Sequence, residues 1–208
     1  MSKALIVIPC CGSKIEGGDR YYYPENSVIN FLSNEAGGYL LDLRRKIFLD
    51  YSLPSGRDIG MQDEEEISYM EAYKRYTGNR SQIYGQISFT SWEKLINSSN
   101  LDLVIVSALY GLLKYDESIR NYNAAMKDTV AGRKLKTWWR KNGLCTILKN
   151  YISKNKILEM HFVLFADYNE ALEGFETVVK STYYDFSSYK SGSNSYRGKW
   201  VDDFMRNF

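Results

Sequence analysis

The side chains able to do chemistry gather in three short segments. Cys10-Cys-Gly-Ser-Lys14 offers two thiols, a hydroxyl and an amine, with Gly12 leaving the backbone open to a ligand. It is no Walker A loop, because the leading glycine and the spacing are missing, and it is equally compatible with a plain strand-to-loop turn whose cysteines are small buried hydrophobes. Ser107-Ala-Leu-Tyr-Gly111 supplies a hydroxyl, a phenol and a flexible glycine, followed at short range by Asp116, Arg120, Tyr122 and Met126. There Gly111 lets a ligand come close to the backbone, and Asp116 is the candidate general base, or an anion facing a developing positive charge. The third segment, Ala166-Asp167-Tyr168, adds a second carboxylate and another phenol.

What the chain lacks narrows that chemistry. It has a single histidine, His161, which removes Ser-His-Asp catalysis and makes a structural zinc site improbable. Its three cysteines, two adjacent and Cys145 far away, form neither a disulfide framework nor a Cys-x-x-Cys metal site. Acid–base work therefore falls to Asp, Glu, Lys, Tyr or Cys, and neither metal nor cofactor is expected. A reducing cytoplasm suits three thiols of this kind. No apolar run approaches the roughly 20 residues of a membrane helix.

The formal net charge is only +2, but it is unevenly spread. Between Lys127 and Lys156 lie Arg133, Lys134, Lys136, Arg140, Lys141, Lys149 and Lys154, with Asp128 as the one acid. Such a stretch is either a solvated helix face or a surface that tracks phosphates. Lys190 and Arg197 add cations in a Ser-, Gly- and Tyr-rich stretch near the end. The chain also has 18 tyrosines, rings that can stack on bases or fill core edges.

These segments need elements to hold them. Ala4–Ile8, Leu101–Ser107 and Met160–Ala166 are continuous apolar, β-branched runs, as buried parallel strands are, and each ends in one of the three segments. Helical spacing over 39–51, 68–76, 89–96 and 167–176 separates them, together with a long basic helix carrying Leu135, Trp138, Trp139, Cys145 and Leu148 on one stripe, capped by Asp128 or Thr129 and open to breaking at Gly143. Residues 181–200 are expected to form an ordered but mobile excursion before a short last helix. The pattern predicts one α/β domain over residues 1–208, with a mixed, partly parallel central sheet flanked by helices. Ligands of open α/β sheets bind at the carboxyl ends of the strands, so Ser13, Lys14, Ser107, Tyr110, Asp116 and Asp167 are expected to share a pocket there.

In order and spacing, Tyr76-Thr-Gly78, Ser107-Ala-Leu-Tyr-Gly-Leu-Leu113, Asp116, Asn121-Tyr122, Met126, Gly132-Arg-Lys-Leu-Lys-Thr-Trp-Trp139 and Ala166-Asp-Tyr168 resemble the YaaA family of peroxide-stress proteins and its shorter relatives. Asp167 stands where that family carries glutamate, and the Cys10–Lys14 opening is closer to the shorter relatives. The resemblance implies DNA as the partner, since such proteins are associated with DNA binding and protection from oxidative damage, and related domains occur beside base-modification systems.

Together these features lead to the expectation of a monofunctional DNA glycosylase that flips out and excises a modified or damaged base, with a place in genome or antiviral defence. Asp116 is the expected catalytic carboxylate and Asp167 the second. Cys10, Ser13, Lys14, Ser107, Tyr110, Gly111, Tyr122, Met126 and Tyr168 are expected to contact the substrate, and Arg133, Lys136, Arg140, Lys141, Lys190 and Arg197 the DNA. The alternatives are a non-catalytic DNA-binding protein of the oxidative-stress response and an N-glycoside hydrolase acting on free nucleotides or nucleosides.

Overall fold

Ala4–Pro9 is buried at every position, and such a strand is stable only with neighbours on both edges and cover on both faces. The computed structural model, which describes residues 3–175, 180–186 and 193–208, puts it in the middle of the sheet. In chain order the elements are β1 (Ala4–Pro9), α1 (Asn34–Asp50), β2 (Tyr69–Glu71), α2 (Ala72–Arg75), α3 (Phe89–Ile96), β3 (Leu101–Ser107), β4 (Gly111–Lys114) and β5 (Ser118–Arg120). There follow β6 (Thr129–Val130), β7 (Arg133–Lys134), α4 (Leu135–Lys141), α5 (Leu144–Lys154), β8 (Glu159–Phe162), α6 (Ala166–Ala171), β9 (Lys180–Tyr183) and α7 (Ser193–Asn207).

The main sheet has the order β4-β3-β1-β8-β9 and is parallel except for β4, which folds back on β3. Ala4 is level with Leu101 on one side and Glu159 on the other, so the carboxyl ends of β1, β3 and β8 emerge at one edge. This is a mixed, mostly parallel α/β architecture. On one face α3 and α7 pair, with Asp202 accepting from the hydroxyls of Ser88 and Ser91, while His161 meets the rings of Trp200 and Phe204. On the other face α5 packs against β4, and its Tyr151 hydroxyl donates to Asp102 of β3 at 2.6 Å. Among the described residues no helix is long and apolar enough to cross a membrane.

The helices begin where capping chemistry permits. Ser33 accepts from Ala36 N–H at the start of α1, and Ser88 from Ser91 N–H at the start of α3. Gly143, in the left-handed region at φ 73°, divides the basic stretch into α4 and α5. Three elements differ from expectation. The long basic helix does not start at Asp128, because the β6–β7 hairpin occupies Thr129–Lys134. Residues 68–76 are a short strand plus one helical turn, because β2 pairs with β5. The excursion expected over 181–200 contains, among its described residues, part of β9 and the first half of the 15-residue α7. Tertiary contacts of Trp200, Asp202 and Phe204 outweigh the weak helix propensity of Ser193-Asn-Ser-Tyr-Arg-Gly198.

Beneath α1 lies a layer of buried charge. Arg44 and Glu117 pair at 2.8 Å, with side chains 0% and 1% exposed. Arg44 also donates to the carbonyls of Tyr110 and Leu112, and Glu117 accepts from Ser27 Oγ and the backbone N–H groups of Val28 and Lys114. Beside it, Arg120 grips both oxygens of Asp58 at 2.7 and 2.6 Å. Buried ions of this type persist only when paired and hydrogen-bonded, and both pairs are.

Candidate functional site

At the carboxyl edge, polar side chains from several elements converge. One position beyond the Pro9–Val106 register, Cys10 leaves β1 beside Ser107, the last residue of β3. Ser107 Oγ and Tyr122 Oη lie 2.9 Å apart, and Tyr122 Oη is 2.6 Å from Tyr76 Oη. Tyr168, on the first turn of α6, brings its hydroxyl within 3.2 Å of Cys10 Sγ. The hydroxyl of Tyr84 donates to the Pro9 carbonyl at 2.9 Å. Over this aromatic floor lies the half-buried Lys14, its Nζ 4.0 Å from the centre of the Tyr122 ring and 5.7 Å from that of Tyr76.

Two features fix the loop that carries Lys14. Arg75 is fully buried and donates from Nη1 to the carbonyls of Ile15 and Gly17 at 2.8 Å each, while Ile15 N–H donates back to the Arg75 carbonyl. Gly78 presses on the Lys14 backbone so closely that a Cβ there would come within 2.8 Å of it. The Tyr76-Thr-Gly78 motif thus has two mechanical duties, a phenol in the floor and a bare backbone against the Lys14 loop.

Burial sets the electrostatics. It pushes the Lys14 amine below its ordinary value; the neighbouring Cys10 and Cys11 thiols oppose that shift, and the Arg75 cation adds to it. Burial pushes the Cys11 thiol up, against hydrogen bonding from Ser13 and the charge of Lys14, so Cys11 stays protonated and a poor nucleophile. The phenols of Tyr76, Tyr122 and Tyr168 are also raised, chiefly by burial, and serve as neutral donors. Lys14 has no carboxylate partner among the described residues, so the site holds an amine whose proton is bound less tightly than usual, beside neutral hydroxyls. Such a group can act as a base or as a nucleophile.

The structure brings together Cys10, Ser13, Lys14, Ser107, Tyr122 and Tyr168 from the expected set, and it separates others. Asp116 is at the opposite edge of the sheet, because β4 runs back from Gly111 and carries the chain toward the amino ends of the strands. There it lies 3.8 Å from Lys114, which also faces Asp102, and Asp102 pairs with Lys3 just ahead of β1. Asp116 therefore does not share a pocket with Lys14. Tyr110 is wholly buried and points under α1, donating to Asp58 at 2.6 Å and accepting from Arg120 N–H. Gly111, at φ +74°, serves packing instead of ligand approach: a Cβ would come within 2.6 Å of the Trp139 ring, whose indole N–H donates to the Ala108 carbonyl. Met126 is buried, and its carbonyl accepts from Lys136 N–H.

Asp167 neighbours Tyr168, but its side chain is 47% exposed and engaged at 2.8 Å by Lys136, which also meets Glu170. Arg140 pairs with Glu173. The acids of α6 and the turn after it thus neutralise two of the cations expected to hold DNA. Arg133 is exposed on the β6–β7 hairpin, and Lys141 lines a 410 Å³ groove with Ser33, Tyr39 and Asn150. Arg197 is buried in α7, and Lys190 lies outside the described residues. Among the described residues no group of three or more His, Cys, Asp or Glu side chains could hold a metal ion.

Arg75, Tyr76 and Tyr84 belong to the site and were not foreseen in it. Tyr76 was visible in the Tyr-Thr-Gly motif, yet nothing in the sequence tells that its phenol meets Tyr122 across 46 residues.

No curated protein matches the chain. The family described as peroxide stress protein YaaA matches residues 54–200, a span that holds Tyr76, Ser107, Tyr122 and Tyr168 and excludes β1 with Cys10–Lys14. With well over half of its length in that match, the chain belongs to the YaaA peroxide stress protein family.

Proposed function

We propose that the protein cleaves the N-glycosidic bond of a damaged or modified base in DNA, and that Lys14, not a carboxylate, opens the reaction. The observation that supports this is the Lys14 amine, its proton loosened by burial, lying 4.0 Å over Tyr122 at the carboxyl edge. The tyrosine floor suits a flat flipped base, and neutral phenols can donate to its ring atoms.

The amine lone pair attacks C1′ while the C1′–N bond to the base breaks; the base leaves with that electron pair and takes one amine proton. The nitrogen then forms a double bond to C1′ as the C1′–O4′ bond breaks, and O4′ takes the second proton. The product is an imine between Lys14 and the opened sugar. Phosphates would meet Arg133 and Lys134, exposed on the β6–β7 hairpin. We place the protein in the cytoplasm, where Cys10, Cys11 and Cys145, all free here, remain thiols. A damaged base suits the stress setting of the family, and a modified base of foreign DNA suits defence.

The test is incubation of duplex and single-stranded oligonucleotides carrying oxidised, alkylated and otherwise modified bases, with borohydride present. A protein–DNA adduct that disappears in Lys14→Met is expected. Alkali-labile abasic sites without an adduct would move the chemistry to water activated by Asp167, and no cleavage of any substrate would end the glycosylase reading. The pairing of Lys136 and Arg140 with the acids of and after α6 favours a second reading, cleavage of free nucleotides or nucleosides, which need no extended basic surface. Release of free base from mononucleotides but not from oligonucleotides would select it.

A further inference from the structure

Arg197 is in an unusual position for a guanidinium. The residue is only 7% exposed, and among the described residues its Nε and Nη1 have no hydrogen-bond partner. Its charge is held between two rings, 4.0 Å from the centre of Phe165 and 4.9 Å from that of Phe186. Burial lowers its pKa, with the charge of Asp185 acting against that shift. The other deeply buried arginines are better supplied: Arg44 and Arg120 grip carboxylates, and Arg75 donates to four carbonyls from its two terminal nitrogens, leaving only its Nε without a partner.

Arg197 is also well located. Phe165 leads directly into α6, and three residues later Tyr168 reaches Cys10. On its other side Gly198 packs against the Ile83 carbonyl and Gln86, which flank Tyr84, whose hydroxyl holds the Pro9 carbonyl. Arg197 thus backs onto the Lys14 floor from the α7 side, one layer of side chains away.

Buried donors without acceptors are retained where a ligand supplies the acceptors, and a guanidinium between aromatic rings is pre-organised for an oxyanion. We propose that Arg197 is a phosphate-binding residue of the carboxyl-edge site, its unpartnered nitrogens donating to the oxygens of a phosphate whose base lies on the tyrosine floor. The base in that statement rests on the function proposed above; the phosphate rests on Arg197 itself. The phosphate is either a diester of a DNA strand or the monoester of a free nucleotide.

The experiment titrates the full chain with deoxynucleoside 5′-monophosphates, the matching nucleosides, and short oligonucleotides, in wild type and in Arg197→Met, whose flexible apolar side chain fits between two rings. The expected result is at least about tenfold tighter binding of phosphate-bearing probes than of nucleosides by wild type, lost in Arg197→Met. The melting temperature of that variant is expected to equal or exceed that of wild type. Preference for oligonucleotides marks the diester as the source, and preference for mononucleotides marks the monoester. Equal binding of nucleoside and nucleotide by wild type, or an undiminished phosphate preference in Arg197→Met, overturns the proposal. Should Arg197→Met fail to fold, Arg197→Gln is judged by the same ratio. Arg197-dependent phosphate binding without base release leaves this proposal standing and removes the glycosylase reading; base release with no phosphate preference does the reverse.

Discussion

Two regions of this molecule bury charge, and they do so in opposite ways. Under α1, Arg44 faces Glu117 and Arg120 faces Asp58, and each ion is met by an opposite ion and by further hydrogen bonds to backbone or side-chain groups. At the carboxyl edge, Lys14 lies on a ring and Arg197 between rings, and neither meets a carboxylate within salt-bridge distance among the described residues. Charges that serve the fold are compensated inside the fold; those at the edge leave their compensation to something that arrives. The sign of a mutation's effect on stability should therefore separate the two regions.

The largest effect is expected from Glu117→Ala, which strands Arg44 in the interior. Loss of one partner of a buried pair costs about 3–5 kcal/mol, which in a chain of this size lowers Tm by roughly 10 °C. Thermal unfolding measures it, and a loss under about 1 kcal/mol would mean that the layer under α1 is not the compensated structure described. Next is Gly111→Ala, which forces a side chain into the left-handed region and against Trp139, for about 2–4 kcal/mol. Denaturant titration measures it, with a red-shifted or quenched tryptophan signal reporting displacement of the buried indole.

Lys14→Met belongs to the other region and should show the opposite sign. Product formation is expected to fall at least about 100-fold, while Tm stays level or rises because a buried amine without a carboxylate partner is gone. A drop of several degrees would reassign Lys14 to the fold.

The smallest effect is that of Asp116→Asn. Burial raises the Asp116 carboxyl above its ordinary value, so near pH 4 and somewhat above it the native chain holds a proton that the unfolded chain has released. Wild-type stability therefore falls as pH rises through that window, and the asparagine variant does not share the fall. Its Tm should match wild type below about pH 4 and exceed it at pH 7, with product formation unchanged. Loss of activity would return Asp116 to the site.

The strands and the edge they share were legible, because buried parallel strands are continuous apolar runs and their ends stand out as polar residues. The return of β4 was not. Ser107-Ala-Leu-Tyr-Gly111 reads the same whether the chain after it stays at the edge or turns back, and the four residues of β4, at roughly 3.3 Å each, carry the acid that follows them to the other end of the sheet. Tyr110 was misread for a related reason: a phenol beyond a strand looks like a ligand contact until Asp58, 52 residues earlier, is seen to receive it. The basic stretch was legible as charge but not as surface, since the acids that neutralise Lys136 and Arg140 come from α6 and the turn after it, more than 30 residues later.

The central position of β1 governs how this chain must come into being. It is the first of these strands to be synthesised, yet its partners begin only at Leu101 and Glu159. Until Leu101–Ser107 has been made, a six-residue apolar strand has neither neighbour, a state that invites wrong pairing and calls for a chaperone or for rapid collapse of the later strands onto it. Tyr168 arrives later still, so the amine of Lys14 stays exposed to water until that residue is in place, and a chain halted before it carries the reactive residue without the walls that restrain it.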